Sequence, residues 1–557
     1  MDRRSKSPGP RAFLPLLIAS LVGAIFFPII FYPWMAIEDL AYYQLNPLFG
    51  PSPLADRMFT AWISAPEANY IPLTWNLTTL LSELTAGSAS AFHAFSLLLH
   101  ALNGVLAFYL ADRLGLRPLQ SLLAVLLFSL HPLRVESVAW ASSIKGLLAT
   151  SFALASLLAQ STPRLPARSL TIIAFFAFSL LSKQTLLLLP AVHFLFSRIR
   201  SDFALSKKSM AILGILSVSA AFAAKWANMG NPLGELNQYL FGDIAPLRAL
   251  AALGHYLCTQ LFPSNLFPEY PASTSPLLIG AGCLSLLPLY PLARALMRRE
   301  NPSLAACLYG AYLVLLFPVL GVVTTPLEFA ADRLTYFPSF FFWASVVVFL
   351  STRTWLQARI AISLGLAAMA ICSFLTIQQL RHWKNEKALT RHILRIHPTH
   401  YLANFQSANR LARRGHFREA LPFAQRLAQH HPYRYGTWQT LSRIHLSLGE
   451  TDSSLDALDH ALERQGPRQA DLLLLKAEAL RAAARYEDAL AACTKASELS
   501  ADPATVLYQK ALIYLAANQP HEAAEAIAEA LTLQPQSKPL LQLEATISEQ
   551  LKQGAPR

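Results

Sequence analysis

The chain has 557 residues, of which 54% are hydrophobic and only 14% charged, with a formal net charge of +13. A soluble chain carries about 25% charged residues, so an ordinary soluble fold is excluded for the long stretch up to about residue 380, where the charge shortage lies. In such a chain Lys and Arg collect in cytoplasmic loops, which accounts for the positive balance without nucleic acid.

The first apolar segment, 13–34, holds no charge and follows a basic start, Asp2 to Arg11. It is longer than a signal-peptide core, and Phe31, Tyr32, Pro33 and Trp34 follow it in place of a small-residue cleavage site. It is read as an uncleaved first span. Further apolar segments fall at 91–112, 118–131, 137–159, 169–182, 184–197, 209–226, 246–263, 275–297, 304–324, 335–351 and 359–377. Arg3, Arg4 and Lys6 precede the first. Arg113 and Arg117 follow the second, Arg164 and Arg168 the fourth, and Arg198, Arg200, Lys207 and Lys208 the sixth. Arg294, Arg298 and Arg299 follow the ninth, and Arg353 and Arg359 precede the last. All fit cytoplasmic loops. The loops flanking 246–263 are poor in Lys and Arg, so that segment is expected to be re-entrant or interfacial. About eleven spans remain, with the N-terminus inside and the C-terminal domain outside. Cys258, Cys283, Cys307, Cys372 and Cys493 show neither a disulfide framework nor metal-ligand spacing.

The first external loop, 35–90, opens with Glu38 and Asp39 just past the membrane boundary. They are solvated loop acids or, at the mouth of a membrane cavity, groups placed for general-base work. Arg134, Lys145, Lys183 and Arg333 fall on the outer side, where the charge rule disfavours them. Local pairing is one explanation, Arg134 with Glu136 and Arg333 with Asp332. A pocket for an anionic group such as a lipid phosphate is the other. Trp75, Trp140 and the run Phe267 to Pro271, which includes Tyr270, are belt aromatics or a sugar-binding surface.

Beyond residue 380 the composition becomes an ordinary soluble mixture. Gly415, Gly449, Ala484 and Asn518 recur at a spacing of about 34 residues. The small residues Ala420, Ser454, Ala489 and Ala523 recur in step. Pro398, Pro432, Pro467, Pro503 and Pro535 punctuate the helix-pair ends. This is the tetratricopeptide (TPR) pattern, an α-solenoid of helix pairs that binds protein partners. The fold class is therefore all-α: a polytopic transmembrane bundle over 1–380, then a TPR solenoid over 381–557.

Several segments together resemble one family, the polytopic GT-C glycosyltransferases with C-terminal TPRs, TMTC-like O-mannosyltransferases and their bacterial relatives. The segments are "IEDLAYYQLNP" (Ile37 to Pro47), "IPLTW" (Ile71 to Trp75), "LLLHALN" (Leu97 to Asn103) and "HPLRVESVAW" (His131 to Trp140) with Ser143-Ile144-Lys145-Gly146 after it. "LLSKQTLLLLP" (Leu180 to Pro190) and "ADRLTYFP" (Ala331 to Pro338) complete the set. The chain departs from the family pattern at Glu38, where Asp is usual, at Ile71 in place of His, and at Ser143 and Gly146 in place of acids.

The resemblance implies a GT-C-like membrane enzyme that inverts a sugar as it moves it from a polyprenyl-phosphate donor to an acceptor hydroxyl outside the membrane. It implies Asp39 as the catalytic acid–base residue, with Glu38 beside it. Lys145, Lys183 and Arg333, with Arg134 a weaker candidate, would bind the donor phosphate. Trp75, Tyr42, His131, Glu136 and Tyr270 would line the substrate pocket. The expected partners are the lipid-linked sugar, a protein acceptor in the TPR groove and the bilayer, with no nucleic acid. No cofactor is expected, and a divalent-metal requirement is left open. The inner membrane is the expected location, with the TPR domain periplasmic. The competing reading is a non-catalytic membrane scaffold whose TPRs gather envelope proteins. A transporter fits less well, since the membrane half has no internal repeat.

Overall fold

A computed structural model describes residues 13–35, 37–163, 165, 167–227, 245–271, 273–298, 300–321, 329–352, 358–432, 434–463, 469–499 and 502–554. The flanking cations Arg3, Arg4, Lys6, Arg164, Arg299 and Arg353, and the repeat residue Pro467, lie outside the described residues. The chain divides into two compact units, Met1–His392 and Ile393–Arg557.

The first unit is helical. Its helices are α1 (Leu14–Phe26), α2 (Leu54–Ile63), α3 (Pro72–Thr85), α4 (Ala89–Arg113), α5 (Pro118–Ser129), α6 (Arg134–Ala139), α7 (Ile144–Gln160), α8 (Arg168–Ser182), α9 (Leu189–Ile199) and α10 (Lys207–Ala227). They continue with α11 (Ala245–Leu261), α12 (Pro276–Leu286), α13 (Leu289–Met297), α14 (Leu304–Leu316), α15 (Tyr336–Ser351) and α16 (Ala358–His382), and α17 (Glu386–Ile396) spans the boundary between the units. Seven helical stretches are long and apolar enough to cross a membrane: Leu14–Phe31, Ala89–Arg113, Ala141–Gln160, Lys207–Ala227, Pro276–Met297, Asp332–Ser351 and Ile362–His382. Four more apolar helices are shorter, Pro118–Ser129, Arg168–Ser182, Gln184–Ile199 and Leu304–Val319.

The packing of α4 explains its sequence. His93, Ser96, His100 and Asn103 are buried, whereas Leu98, Leu102 and Tyr109 face outward. Apolar side chains on the outer face suit a hydrocarbon solvent, and there a buried polar group needs a protein partner, which His100 and Asn103 have. His100 Nδ1 lies 2.6 Å from the Tyr336 hydroxyl and Nε2 3.0 Å from the Ser129 carbonyl. Asn103 donates to the Leu147 carbonyl at 3.0 Å and accepts from the Ser151 hydroxyl at 2.7 Å. The "LLLHALN" segment is thus a polar lock that joins α4 to α5, α7 and α15.

One expected continuous segment is broken: 137–159 is interrupted at Trp140, so α6 is a separate short helix before α7. The segment 275–297 remains one helical stretch, Pro276–Met297, with an irregular turn between α12 and α13 at Leu287 and Pro288, where the proline lacks a backbone donor. The segment at 246–263 forms α11, which runs antiparallel to α12 with backbones nearly touching. A Cβ at Gly254 would fall 1.9 Å from the Leu278 carbonyl oxygen, and one at Gly282 2.0 Å from that of Leu250.

The end of α16 lies at the same end of the bundle as the segment after α1. The Tyr32 hydroxyl donates to the Leu380 carbonyl at 2.9 Å, Thr376 to that of Leu130 at 2.7 Å, and Gln379 to that of Leu266 at 3.0 Å. The start of the 35–90 segment and the end of α16 therefore lie at one end of the bundle.

The second unit is a series of helix pairs: α18 (Tyr401–Ala412) with α19 (Phe417–His430), α20 (Tyr435–Ser447) with α21 (Thr451–Leu462), α22 (Gln469–Ala482) with α23 (Tyr486–Leu499), and α24 (Pro503–Ala516) with α25 (Pro520–Leu533), then α26 (Lys538–Gly554). The recurring residues Gly415, Gly449, Ala484 and Asn518 all have positive φ, at 77°, 80°, 59° and 60°. Each ends the first helix of a pair in a left-handed cap. The next residue's N–H returns to the carbonyl five positions back: His416 to Leu411, Glu450 to His445, Arg485 to Leu480 and Gln519 to Tyr514. Ala420, Ser454, Ala489 and Ala523 are fully buried where the paired helices cross. A larger side chain there would push the pair apart.

Candidate functional site

The site begins where the chain leaves α1. Residues 37–39 lie against the α6–α7 turn, and Asp39 fastens them there. It is fully buried. One carboxylate oxygen accepts the Met35 N–H at 3.0 Å and the other accepts the Ser142 N–H at 2.9 Å. The Tyr43 hydroxyl adds a second tie, donating to the Ala141 carbonyl at 3.1 Å.

The two adjacent acids therefore sit in different surroundings. Glu38 is partly exposed, and the Ser142 hydroxyl donates to its Oε2 at 3.1 Å. Burial works against ionising Glu38, but Lys145, Arg333, the Ser142 hydrogen bond and Lys183 outweigh it and hold the group below its usual value. For Asp39 burial dominates. It outweighs the two backbone N–H donors, and the neighbouring Glu38 adds to it, so the carboxyl is pushed up to about 7.

Three cations act electrostatically on Glu38. Lys145 Nζ bonds the Tyr42 hydroxyl at 2.6 Å and stands 4.2 Å from the centre of that ring. Tyr42 in turn packs on Trp75 at 5.2 Å. Asn69 fixes both rings, donating to the Tyr42 hydroxyl at 2.9 Å and accepting the Trp75 indole N–H at 3.1 Å. Lys183 comes from the extended residue that ends α8. Its ammonium lies beside Gly146 in the first turn of α7, where a Cβ would stand 3.7 Å from Nζ, an ordinary contact distance. Arg333 reaches in from the turn before α15. Its Nη1 bonds Glu136 Oε1 at 2.5 Å, its backbone N–H bonds Oε2 at 3.2 Å, and the guanidinium lies 5.1 Å over Trp140. Four acids and bases from distant stretches of chain thus act on one another, with Tyr42 and Trp75 beside them.

The remaining sequence candidates occupy supporting places. Glu136 stands behind Arg333 as its buried counter-ion. Tyr270 is buried; its hydroxyl donates to Asp332 Oδ1 at 3.0 Å and its backbone pairs with Ala330. His131 points into the core, where Nε2 lies 3.1 Å from the Gln260 carbonyl. Arg134 is fully buried. Its Nη2 donates to Thr335 at 2.8 Å and Ser339 at 3.0 Å, and its guanidinium lies over Phe128 and Tyr336. His131 and Arg134 therefore face the helix core rather than the Glu38 cluster. Ser142 and Asn69 join the site without having been singled out from sequence. Ser142 could have been flagged, two residues after Trp140 in a family-like segment, whereas nothing around Asn69 marks it. Among the described residues no group of three His, Cys, Asp or Glu side chains is placed to hold a metal.

Residues 504–537 match the tetratricopeptide repeat family. The pair α24–α25 is thus a tetratricopeptide repeat, and the other helix pairs of the C-terminal unit share its left-handed cap and its small crossing residue. Solved structures similar to the chain include TTC0263, a thermophilic TPR protein of Thermus thermophilus, 22% identical, covering 30% of this chain and 94% of that one at a TM-score of 0.27. YrrB, a TPR protein with an unusual peptide-binding site, is 13% identical over 29% of this chain and 84% of its own, at a TM-score of 0.24. The APC/C hetero-tetramer Cut9–Hcn1 is 15% identical over 88% of this chain and 92% of the matched chain, at a TM-score of 0.28. No curated protein matches the chain.

Proposed function

We propose that this chain is a membrane-embedded glycosyltransferase that moves a sugar from a polyprenyl-phosphate donor to an acceptor hydroxyl, on a protein held by the TPR solenoid. The observation that carries the reading is the convergence of one ionised, partly exposed carboxylate, Glu38, with Lys145, Lys183 and Arg333 at the end of apolar helices. The resemblance of the six sequence segments gives that cluster its chemistry. The reading takes the apolar helices as a bundle of about eleven spans. The cluster and the end of α16 lie at the same end of that bundle, which this reading takes as the extracytoplasmic one.

Transfer needs a proton removed from the acceptor hydroxyl as its oxygen attacks the sugar's anomeric carbon. The bond from that carbon to the phosphate oxygen breaks, and negative charge builds on the leaving lipid phosphate. A base must reach the hydroxyl before its pKa matters. Glu38 meets that condition. Asp39, whose two oxygens are taken by backbone N–H groups, is better suited to hold the loop in place. Lys145 and Lys183 stand where they can neutralise the leaving phosphate, and Arg333, already paired with Glu136, adds positive field.

The test is incubation of the purified protein with polyprenyl-phosphate sugars and mass spectrometry of the released lipid phosphate and modified peptides. Turnover that disappears in Glu38→Gln supports the reading. A non-catalytic scaffold is the second reading, favoured by the tetratricopeptide repeat at 504–537. It requires that no donor in a broad panel be consumed and that Glu38→Gln leave the function intact.

A further inference from the structure

The short helix α17 follows the last apolar helix at once and carries an uncommon charge pattern. Between residues 378 and 399 the chain has five cations, Arg381, Lys384, Lys387, Arg391 and Arg395, against one acid, Glu386. Lys387, Arg391 and Arg395 are spaced four apart, which stacks them along one helix face. All five cations are exposed. The opposite side is anchored: Leu389 and Thr390 are buried, Asn385 caps the helix by accepting the Ala388 N–H at 2.9 Å, and His392 Nε2 lies 3.0 Å from the Leu266 carbonyl. The basic face is thus held in a fixed attitude.

Its level is also defined. On α16, Ile371, Phe374 and Ile377 are exposed apolar side chains, 60%, 60% and 42% accessible, which only hydrocarbon suits. Arg381 follows Ile377 by four residues, about 6 Å along the helix axis. The cations begin where a hydrocarbon layer covering Ile377 would give way to headgroups. An acidic soluble protein would explain the charge, but not its position at the end of an apolar helix.

We propose that the basic face of α17 docks on anionic phospholipid headgroups of the bilayer that α16 crosses. The proposal rests on the reading of the first unit as a membrane bundle. Each cation near an anionic surface contributes about fivefold to its association, so three in register should slow opening of the docked helix by about a hundredfold at low salt.

The experiment is hydrogen–deuterium exchange of the full chain in nanodiscs of phosphatidylcholine alone or with about one-third phosphatidylglycerol. Peptides covering 384–396 should exchange at least tenfold more slowly in the anionic discs. The difference should vanish in high salt and in the Lys387→Gln/Arg391→Gln/Arg395→Gln variant, whose changes are all on exposed side chains. Equal exchange in the two discs at low salt would overturn the proposal, as would a composition effect that the triple variant keeps. Protection by an added acidic peptide in neutral discs, without any response to anionic lipid, would also overturn it in favour of a protein partner. Failure of the protein to enter either disc would instead count against the membrane bundle itself.

Discussion

Substituting Asp39 by Asn separates its mechanical role from a catalytic one. The side chain has no exposed surface, and its two oxygens accept backbone N–H groups from Met35 and Ser142. Asparagine keeps one acceptor and turns its amide N–H toward the other donor. One hydrogen bond is lost and a buried donor is left unpaired, a cost of about 1–3 kcal/mol. The carboxylate carries an opposing cost, because burial raises its pKa from 3.8 to about 7. A raised acid holds its proton longer in the folded state. Stability from this group is therefore greatest below pH 4, falls as the pH rises toward 7, and is level above it. Between pH 5 and pH 8 the wild type should lose about 2–3 kcal/mol that Asp39→Asn does not. Melting of the full chain in detergent at pH 5, 6, 7 and 8 measures this. The variant should melt well below wild type at pH 5, and the gap should narrow or close at pH 8. Parallel melting curves across the range would refute the titration. Glu38→Gln is the comparison: it removes a charge that Lys145, Arg333 and Lys183 favour, so it should melt below wild type by a gap that stays nearly level from pH 5 to pH 8, and it should lose transfer.

Lys145→Gln should weaken donor use about ten- to a hundredfold, the loss of one charge-assisted phosphate contact, with little change in melting temperature. Arg333→Gln should lower stability as well, by about 3–5 kcal/mol, since it strands the buried Glu136; donor affinity and melting measured together distinguish the two cases. Ala484→Gly should raise the melting temperature of the solenoid transition by relieving a left-handed alanine, about 1 kcal/mol, whereas Gly449→Ala should lower it by a similar amount. Gly254→Ala must force α11 from α12 and should cost at least about 1–3 kcal/mol in a detergent melt, with no rescue by longer equilibration. Ser453→Cys is exposed on the solenoid and should react with a membrane-impermeant thiol reagent in intact spheroplasts; labelling only after lysis would put the solenoid in the cytoplasm.

Much of the fold was legible in the chain because its signals are local. A long apolar run reads as such whatever surrounds it, and Leu14–Phe31, Ala89–Arg113 and Lys207–Ala227 appear close to where composition put them. The repeat was equally plain, since Gly415, Gly449, Ala484 and Asn518 mark a backbone conformation that few residues accept and Ala420 to Ala523 mark a crossing only small ones fit. Sequence also singled out Glu38, Lys145, Lys183 and Arg333 as residues misplaced in a merely apolar bundle. Their roles depended on three dimensions. Adjacent residues on an irregular segment point in different directions, so Glu38 faces three cations while Asp39 is locked between the amides of Met35 and Ser142. Arg134 and Arg333 read alike as outer-side arginines, yet one lies under Tyr336 in the core and the other reaches the cluster over Trp140. Burial and long-range pairing are properties of packed helices, and no pattern along the chain encodes which of two charged neighbours the packing will cover.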